Sequence, residues 1–346
     1  MIWQFIDSSS VGGAERHIET LAGSLMRQGT PVRIVLLADH GANPWQNQLA
    51  GAGLDAVHLD GRFPTLLRVL GAERPRLLHT HGYKAGIFGR VAARLAGVPV
   101  VSTFHSGARG AFPVGLYEAL DDWTCLLGQR IAVSQSVQAR LPFASHVIPS
   151  YVQTPPRPVT APLPPLVAFV GRLSAEKGPD VFCRLAAQAG KLDGFEAVSW
   201  HVWGDGPMRR ELEAAHGGCV QFHGVSTDMA AVWPRVGLLA MPSLFEGVPL
   251  AALEAAAHGI PVLAARVGGL PTVIAEGKTG WMFPAGEIDA ALRGLAAWQT
   301  ARANGAAAMR AACWHKARAE FSEARWFPDV LAVYRAAGLS LDTLPA

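Results

Sequence analysis

Residues 153–178 read QTPPRPVTAPLPPLVAFVGRLSAEKG. The proline-rich half can form neither a helix nor a central strand, because each ring removes a backbone donor and fixes φ. It predicts an extended linker over 151–165. The unbroken apolar run LVAFV then has the pattern of a strand covered on both faces, and a glycine-bounded, charged loop follows it at once. A chain of 346 residues therefore divides near its middle, with length enough on each side for a domain.

Working outward, the same strand–loop–helix unit repeats on both sides. Ile2–Ile6 is a short apolar run followed by a Ser/Gly loop, and 14–28 places Ile18, Leu21, Ala22 and Leu25 at helical spacing before Gly29. Further strands are predicted at 32–37, 76–79 and 98–104, with a helix over 85–97. Beyond the linker, strands are predicted at 166–171, 198–204, 219–224, 237–243 and 261–265, separated by helical segments. The last segment, 315–338, predicts one helix too apolar to lie free, with Trp326, Phe327, Val330, Leu331, Val333 and Tyr334. The fold class is α/β: two doubly wound Rossmann-like domains, 1–150 and 166–320, facing a central cleft.

Composition removes several classes of function. Half the residues are apolar and 16% are charged, which excludes disorder as the main state. A net charge of +3 is too small for a dedicated nucleic-acid binder. Cys125, Cys183, Cys219 and Cys313 are scattered, which argues against a disulfide framework or a thiolate metal site and suits a reducing, cytoplasmic setting. The first residues carry no signal-peptide pattern. The longest apolar stretch, 248–265, is interrupted by Glu254, His258 and a Gly-Ile-Pro break, so no bilayer-spanning helix is expected.

Three segments carry chemistry. Val11-Gly12-Gly13-Ala14-Glu15 lies between a strand and a helix, where backbone N–H groups suit an anion; a turn that needs glycine explains it equally well. Gly171 to Gly178 sets Arg172 and Lys177 at a strand's carboxyl end, either as an anion clamp or as a solvated loop. Leu244 to Glu254 puts Glu246 in a loop and Glu254 inside the helix that begins near Pro249. Side chains on a helix lean toward its N-terminus, so both carboxylates can face one ligand. The plainer alternative is a helix-dipole glutamate and a surface acid. His79-Thr80-His81 sets two imidazoles on one side of a strand end, but no nearby Asp, Glu or Cys completes a ligand set, so no metal is expected.

Further segments fall in order along nearly the whole chain: WGDGP at 203–207, FHG at 222–224, GGLP at 268–271 and GKTG at 277–280. With the three above, they resemble the family 4 retaining glycosyltransferases of the GT-B fold. The resemblance implies a nucleotide-sugar donor, UDP- or GDP-linked, held mainly by the second domain, and an acceptor held mainly by the first. It also implies that helix 321–340 crosses back to the N-terminal domain. Carried over, Arg172 and Lys177 would grip the diphosphate, helped by the backbone N–H groups of Gly12 and Gly13. Glu254 would accept from the ribose hydroxyls. Glu246, with Gly247, Val248 and Leu250, would hold the donor sugar. Ser226, in the loop Gly224–Asp228, would lie near the base, and His105 would sit beside the sugar and the reacting centre.

The chain has no D-x-D sequence, so no metal or other cofactor is expected. Thr272 departs from the family, which usually carries an acid just after Gly-Gly-x-Pro. The expected activity is retaining hexosyl transfer to a glycan or lipid-linked acceptor in polysaccharide or lipopolysaccharide synthesis. Alternatives are a nucleotide-sugar epimerase or an inactive donor-binding subunit. Two stretches, 62–76 and 106–117, combine arginine with apolar residues and are candidates for peripheral contact with an anionic membrane; a solvated helix and an acceptor-site loop are the plainer readings.

Overall fold

A computed structural model describes residues 1–9, 11–41, 43–105, 114–226 and 228–339. It contains two units, Met1–Tyr151 with Glu323–Ala346, and Val152–Ser322. The first holds β1 (Ile2–Ile6), β2 (Val32–Leu36), β3 (Asp55–His58), β4 (Leu77–His81), β5 (Val100–Phe104), β6 (Gln129–Ala132) and β7 (His146–Val147). These pair in parallel in the order 3-2-1-4-5-6-7. Every residue of β1, β4 and β5 is buried. That is why their sequences run apolar without alternation: helices cover both faces. On one face Ile18, Leu21 and Leu25 of helix Gly13–Arg27 meet Phe327, Leu331 and Tyr334 of helix Glu323–Ala336. On the other, Trp3, Phe5 and Leu78 meet helices Phe63–Glu73 and Tyr83–Ala96. Each fully buried leucine or isoleucine contributes about 1.5–3 kcal/mol. Gly89 lets the latter helix press on the sheet, because a Cβ there would sit 2.6 Å from the Thr80 methyl.

The second unit holds β8 (Leu166–Val170), β9 (Ser199–Trp203), β10 (Gln221–Gly224), β11 (Leu238–Met241), β12 (Val262–Ala265) and β13 (Gly280–Phe283), in the order 10-9-8-11-12-13, again parallel. In each sheet the order reverses at its first strand, β1 or β8. The crevice outside the carboxyl ends there is where doubly wound sheets take ligands.

The segment 151–165 forms no helix, as the prolines require, and it is packed at both ends. Tyr151 is buried in the first unit and Val152 opens the second, where Leu163 is also buried. The Trp314 indole N–H donates to the Pro155 carbonyl at 2.9 Å. The single helix expected over 315–338 is two, Ala306–Glu320 and Glu323–Ala336. The break comes at Phe321 and Ser322, both buried; Phe321 takes a non-helical φ of −131° and its carbonyl accepts from the Val152 N–H. Helix Glu323–Ala336 belongs to the first unit. No helix among the described residues is long and apolar enough to cross a membrane.

Candidate active site

In the second unit, four strand-end loops interlock through glycine. The Gly171 N–H bonds the Trp203 carbonyl and the Leu173 N–H the Asp205 carbonyl, so loop 171–178 prolongs the β8–β9 ladder. A Cβ on Gly204 would fall 1.8 Å from the Gly171 oxygen. Gly178, at φ +66°, closes the short turn Ala175–Lys177, and a Cβ there would meet the Pro242 oxygen at 2.3 Å. Gly268, at φ +53°, lies so close under Glu246 that a Cβ would come within 1.7 Å of the Glu246 carbonyl oxygen. Its neighbour Gly269 donates its N–H to the Gly247 carbonyl at 2.7 Å. The glycines of WGDGP and GGLP thus let loops from neighbouring strands stack backbone on backbone.

This stacking brings charge together. The Lys177 ammonium donates to Glu246 Oε2 at 2.8 Å, and the Ser243 hydroxyl donates to Oε1 at 2.8 Å. The Glu246 side chain is 4% exposed and that of Lys177 30%. A carboxylate this deep depends on its partners: removing one member of a buried pair typically costs about 3–5 kcal/mol, because the other charge stays buried. Arg172 is exposed on the same loop as Lys177, and its guanidinium forms no ion pair among the described residues. Gly247 and Val248 continue from Glu246 into helix Leu250–Ala257, which carries half-buried Glu254 between buried Leu253 and Ala255. Ser226 follows edge strand β10, and its hydroxyl accepts from the Asp228 N–H at 3.2 Å; Thr227 of that loop lies outside the described residues. Thr272, at the position where the family favours an acid, donates its hydroxyl to the Gly269 carbonyl at 2.7 Å and so braces the glycine pair.

In the first unit, Gly12 and Gly13 begin helix Gly13–Arg27. The amides there already have a neighbour. Buried Glu15 accepts backbone bonds from Gly12 and from its own N–H, and takes the Ser8 hydroxyl at 2.6 Å. Burial raises its pKa, against those hydrogen bonds.

His105, just past β5 and partly exposed, stands among histidines rather than alone. Its Nε2 is 3.0 Å from His81 Nδ1, and its ring centroid is 5.0 Å from that of His17. His81 Nε2 donates to Gln4 Oε1 at 2.8 Å. His79 lies between the Tyr334 hydroxyl, 2.7 Å away, and the Thr103 hydroxyl, 2.8 Å away. Burial holds His17 near a pKa of about 4. It also holds His79, His81 and His105 well below the ordinary histidine range, reinforced by the neighbouring imidazoles. In space, then, the surroundings of His81 do contain further ligand-type side chains, contrary to what the local sequence suggests. Of the stretches considered for membrane contact, 62–76 turns Leu66 and Leu70 inward and leaves Arg62, Arg68, Arg74 and Arg76 exposed. Residues 106–113 of the other, with Arg109, lie outside the described residues.

Comparison with known proteins covers both units. Residues 11–160 match the model described as Glycosyltransferase Family 4, and 164–298 the one described as Glycosyl transferases group 1. The chain is 30% identical to the D-inositol 3-phosphate glycosyltransferase of Mycobacterium marinum, over 95% of this chain and 82% of that protein. It is also 30% identical to the protein of that name from Mycolicibacterium paratuberculosis, over 95% and 87%. Among solved structures, Anabaena Alr3699/HepE in complex with UDP-glucose superposes with a TM-score of 0.78 at 19% identity, covering 99% of this chain and 100% of that one. The lipopolysaccharide outer core galactosyltransferase WaaB gives 0.68 at 17%, covering 97% and 99%. At these identities the structural likeness shows the fold alone.

Proposed function

Since the chain belongs to the family 4 glycosyltransferases of the GT-B fold, we propose that it transfers a hexose-type sugar, with retention, from a UDP-sugar to a hydroxyl of a glycan or lipid-linked acceptor in cell-surface polysaccharide or lipopolysaccharide synthesis on the cytoplasmic side. The observation that carries this reading is the Lys177–Glu246 pair, whose carboxylate is buried and whose ammonium is half-buried, beside exposed Arg172. Breaking the anomeric bond leaves negative charge on the departing diphosphate and an oxocarbenium-like sugar. Preorganised cations aimed at that charge lower the barrier. Arg172 and Lys177 supply them without a metal, while Glu246, with Gly247, Val248 and Leu250, accepts from or donates to the sugar hydroxyls. Glu254 takes the ribose, Ser226 lies by the base, and Gly12, Gly13 and His105 contribute from the first unit. The departing phosphate oxygen removes the acceptor proton. The Alr3699/HepE structures are complexes with UDP and UDP-glucose, which makes a UDP-sugar the first donor to test.

Thermal-shift screening against UDP-, GDP- and ADP-sugars tests the donor, since a ligand of the folded state raises the melting point. UDP-sugars should raise it and Arg172→Ala should abolish the shift; a shift with ADP- or GDP-sugars alone rejects the UDP assignment.

We also propose that the first unit meets an anionic membrane through the stretch 62–76, where Arg62, Arg68, Arg74 and Arg76 are exposed. Co-flotation with anionic vesicles at low salt should be lost in an Arg62→Glu/Arg68→Glu variant; equal flotation of both proteins, or none by either, removes this contact.

A further inference from the structure

His17 projects from helix Gly13–Arg27, His81 ends β4, and His105 follows β5. Sequence separates them widely, yet one ring nitrogen from each lies within 4.8 Å of the others. Transfer as proposed above uses His105 and leaves His17 and His81 without a task. We propose that these three imidazoles form a binding site for a divalent transition-metal ion of the zinc class.

The nitrogens are presented as a metal needs them. The Gln4 side-chain N–H donates to the Tyr334 hydroxyl at 3.2 Å, which leaves its Oε1 to accept from His81 Nε2. The proton of His81 is therefore on Nε2, and the lone pair of Nδ1 points at His105. His17 has the Ser150 hydroxyl 3.2 Å from its Nδ1, a partner for the nitrogen opposite Nε2. Ligating imidazoles characteristically have such an outer hydrogen bond, which fixes tautomer and ring orientation. Nearby His79 is excluded as a ligand because both its nitrogens are engaged by hydroxyls. Tetrahedral zinc with N–metal bonds of about 2.0–2.1 Å needs ligand nitrogens about 3.4 Å apart. The His81–His105 separation of 3.0 Å is close to that, and the ligand nitrogen of His17 lies within 4.8 Å of both.

Without the ion, a proton on His105 Nε2 is shared with His81 Nδ1. With it, the ion takes that place and the His105 proton moves to Nδ1, so no proton is gained or lost overall. Three neutral nitrogens and no carboxylate select zinc, cobalt, nickel or copper over magnesium or calcium. His17 and His81 are buried while His105 is partly exposed, so an ion would reach the site past His105. An ion held here withdraws His105 from the sugar, so its effect on transfer is inhibitory; that consequence rests on the role proposed for His105, whereas the site itself rests on geometry.

The test uses the full chain without donor. Titration with Co2+ should give the visible absorption of a four-coordinate ion at one per chain, and Zn2+ should displace it; Mg2+ should not. Binding should vanish in His105→Ala, the least buried ligand, and weaken about tenfold to a hundredfold in Gln4→Leu, which leaves every ligand in place. His201→Ala, in the other unit, should bind as the unaltered protein does. Absence of the cobalt spectrum in the unaltered protein, or binding that survives in both His105→Ala and His17→Gln, overturns the site. A transfer assay then separates the two ideas. Zinc should slow turnover and a chelator restore it; zinc that binds through these histidines without slowing turnover leaves the site standing and rejects the role of His105.

Discussion

The two units place very different chemistry at the carboxyl ends of like-ordered parallel sheets. In the second, formal charges meet: Lys177 and Glu246 form a buried ion pair on loops stacked through glycine, with Arg172 exposed beside them. In the first, the deepest polarity is carried by imidazoles that burial keeps neutral and that hydrogen-bond to one another, to Gln4 and to Tyr334, while the Asp7–Lys84 ion pair just past β1 lies nearer the surface. A glycine-lined crossing can bring a charge and its counter-charge onto touching loops. A strand that points alternate residues inward can instead set neutral donors and acceptors at period two, as Gln4, His79 and His81 are set.

The most severe way to break this contrast is to remove the cations. Arg172→Ala and Lys177→Ala should each slow transfer about 30- to 1,000-fold, equivalent to about 2–4 kcal/mol at the transition state. Stability should separate them. Lys177→Ala strands the Glu246 carboxylate and should lower the melting temperature, whereas Arg172→Ala should leave it nearly unchanged; equal melting of the two variants contradicts the assignment of the buried pair. Neutralising the carboxylate as well, in Lys177→Ala/Glu246→Gln, should recover part of the stability but none of the rate.

Acid sharpens the other half. A histidine that stays neutral in the folded state down to about pH 4, but takes its proton near pH 6.5 when unfolded, favours unfolding as the pH falls between those values. For His17 the loss approaches about 3 kcal/mol by pH 4, and nothing is lost above pH 6.5. His79, His81 and His105 act in the same direction. Melting temperature followed from pH 7 to pH 4 should fall, and fall less steeply in His17→Gln. A flat profile would mean that these rings are hydrated in the folded protein.

The strands that pack helices on both faces were readable because burial imposes an unbroken apolar run; β1, β8 and β11 show this directly. The edge strands β3 and β7 were not, although edge strand β10 was. β3 and β7 carry no completely buried residue, so nothing in their composition sets them apart from loops. Helix Pro44–Gly51 begins with Asn43, whose side chain caps the Trp45 N–H, a signal that short length conceals. At the site, residues adjacent in sequence were legible, since a loop's chemistry is written in consecutive letters. The histidine cluster was not, because His17, His81 and His105 come from a helix, a strand and the residue just past another strand, and only parallel register and helix packing make them neighbours. The break at Phe321–Ser322 was hidden for the opposite reason: the local sequence favours continuing helix, and a pairing with Val152 overrides it.

That pairing has a consequence for biogenesis. Val152 and Ser322 lie side by side, so the second unit is one uninterrupted piece of chain whose ends already meet. The first unit is split: the residues that close over Gln4 and His79, Tyr334 above all, leave the ribosome only after the whole second unit has been made. During synthesis the earlier-made sheet must therefore wait with one face only partly covered, by helix Gly13–Arg27, while the later-made unit can complete itself first. Order of assembly would run against order of translation, and the waiting interval is where a nascent chain of this protein most needs a chaperone.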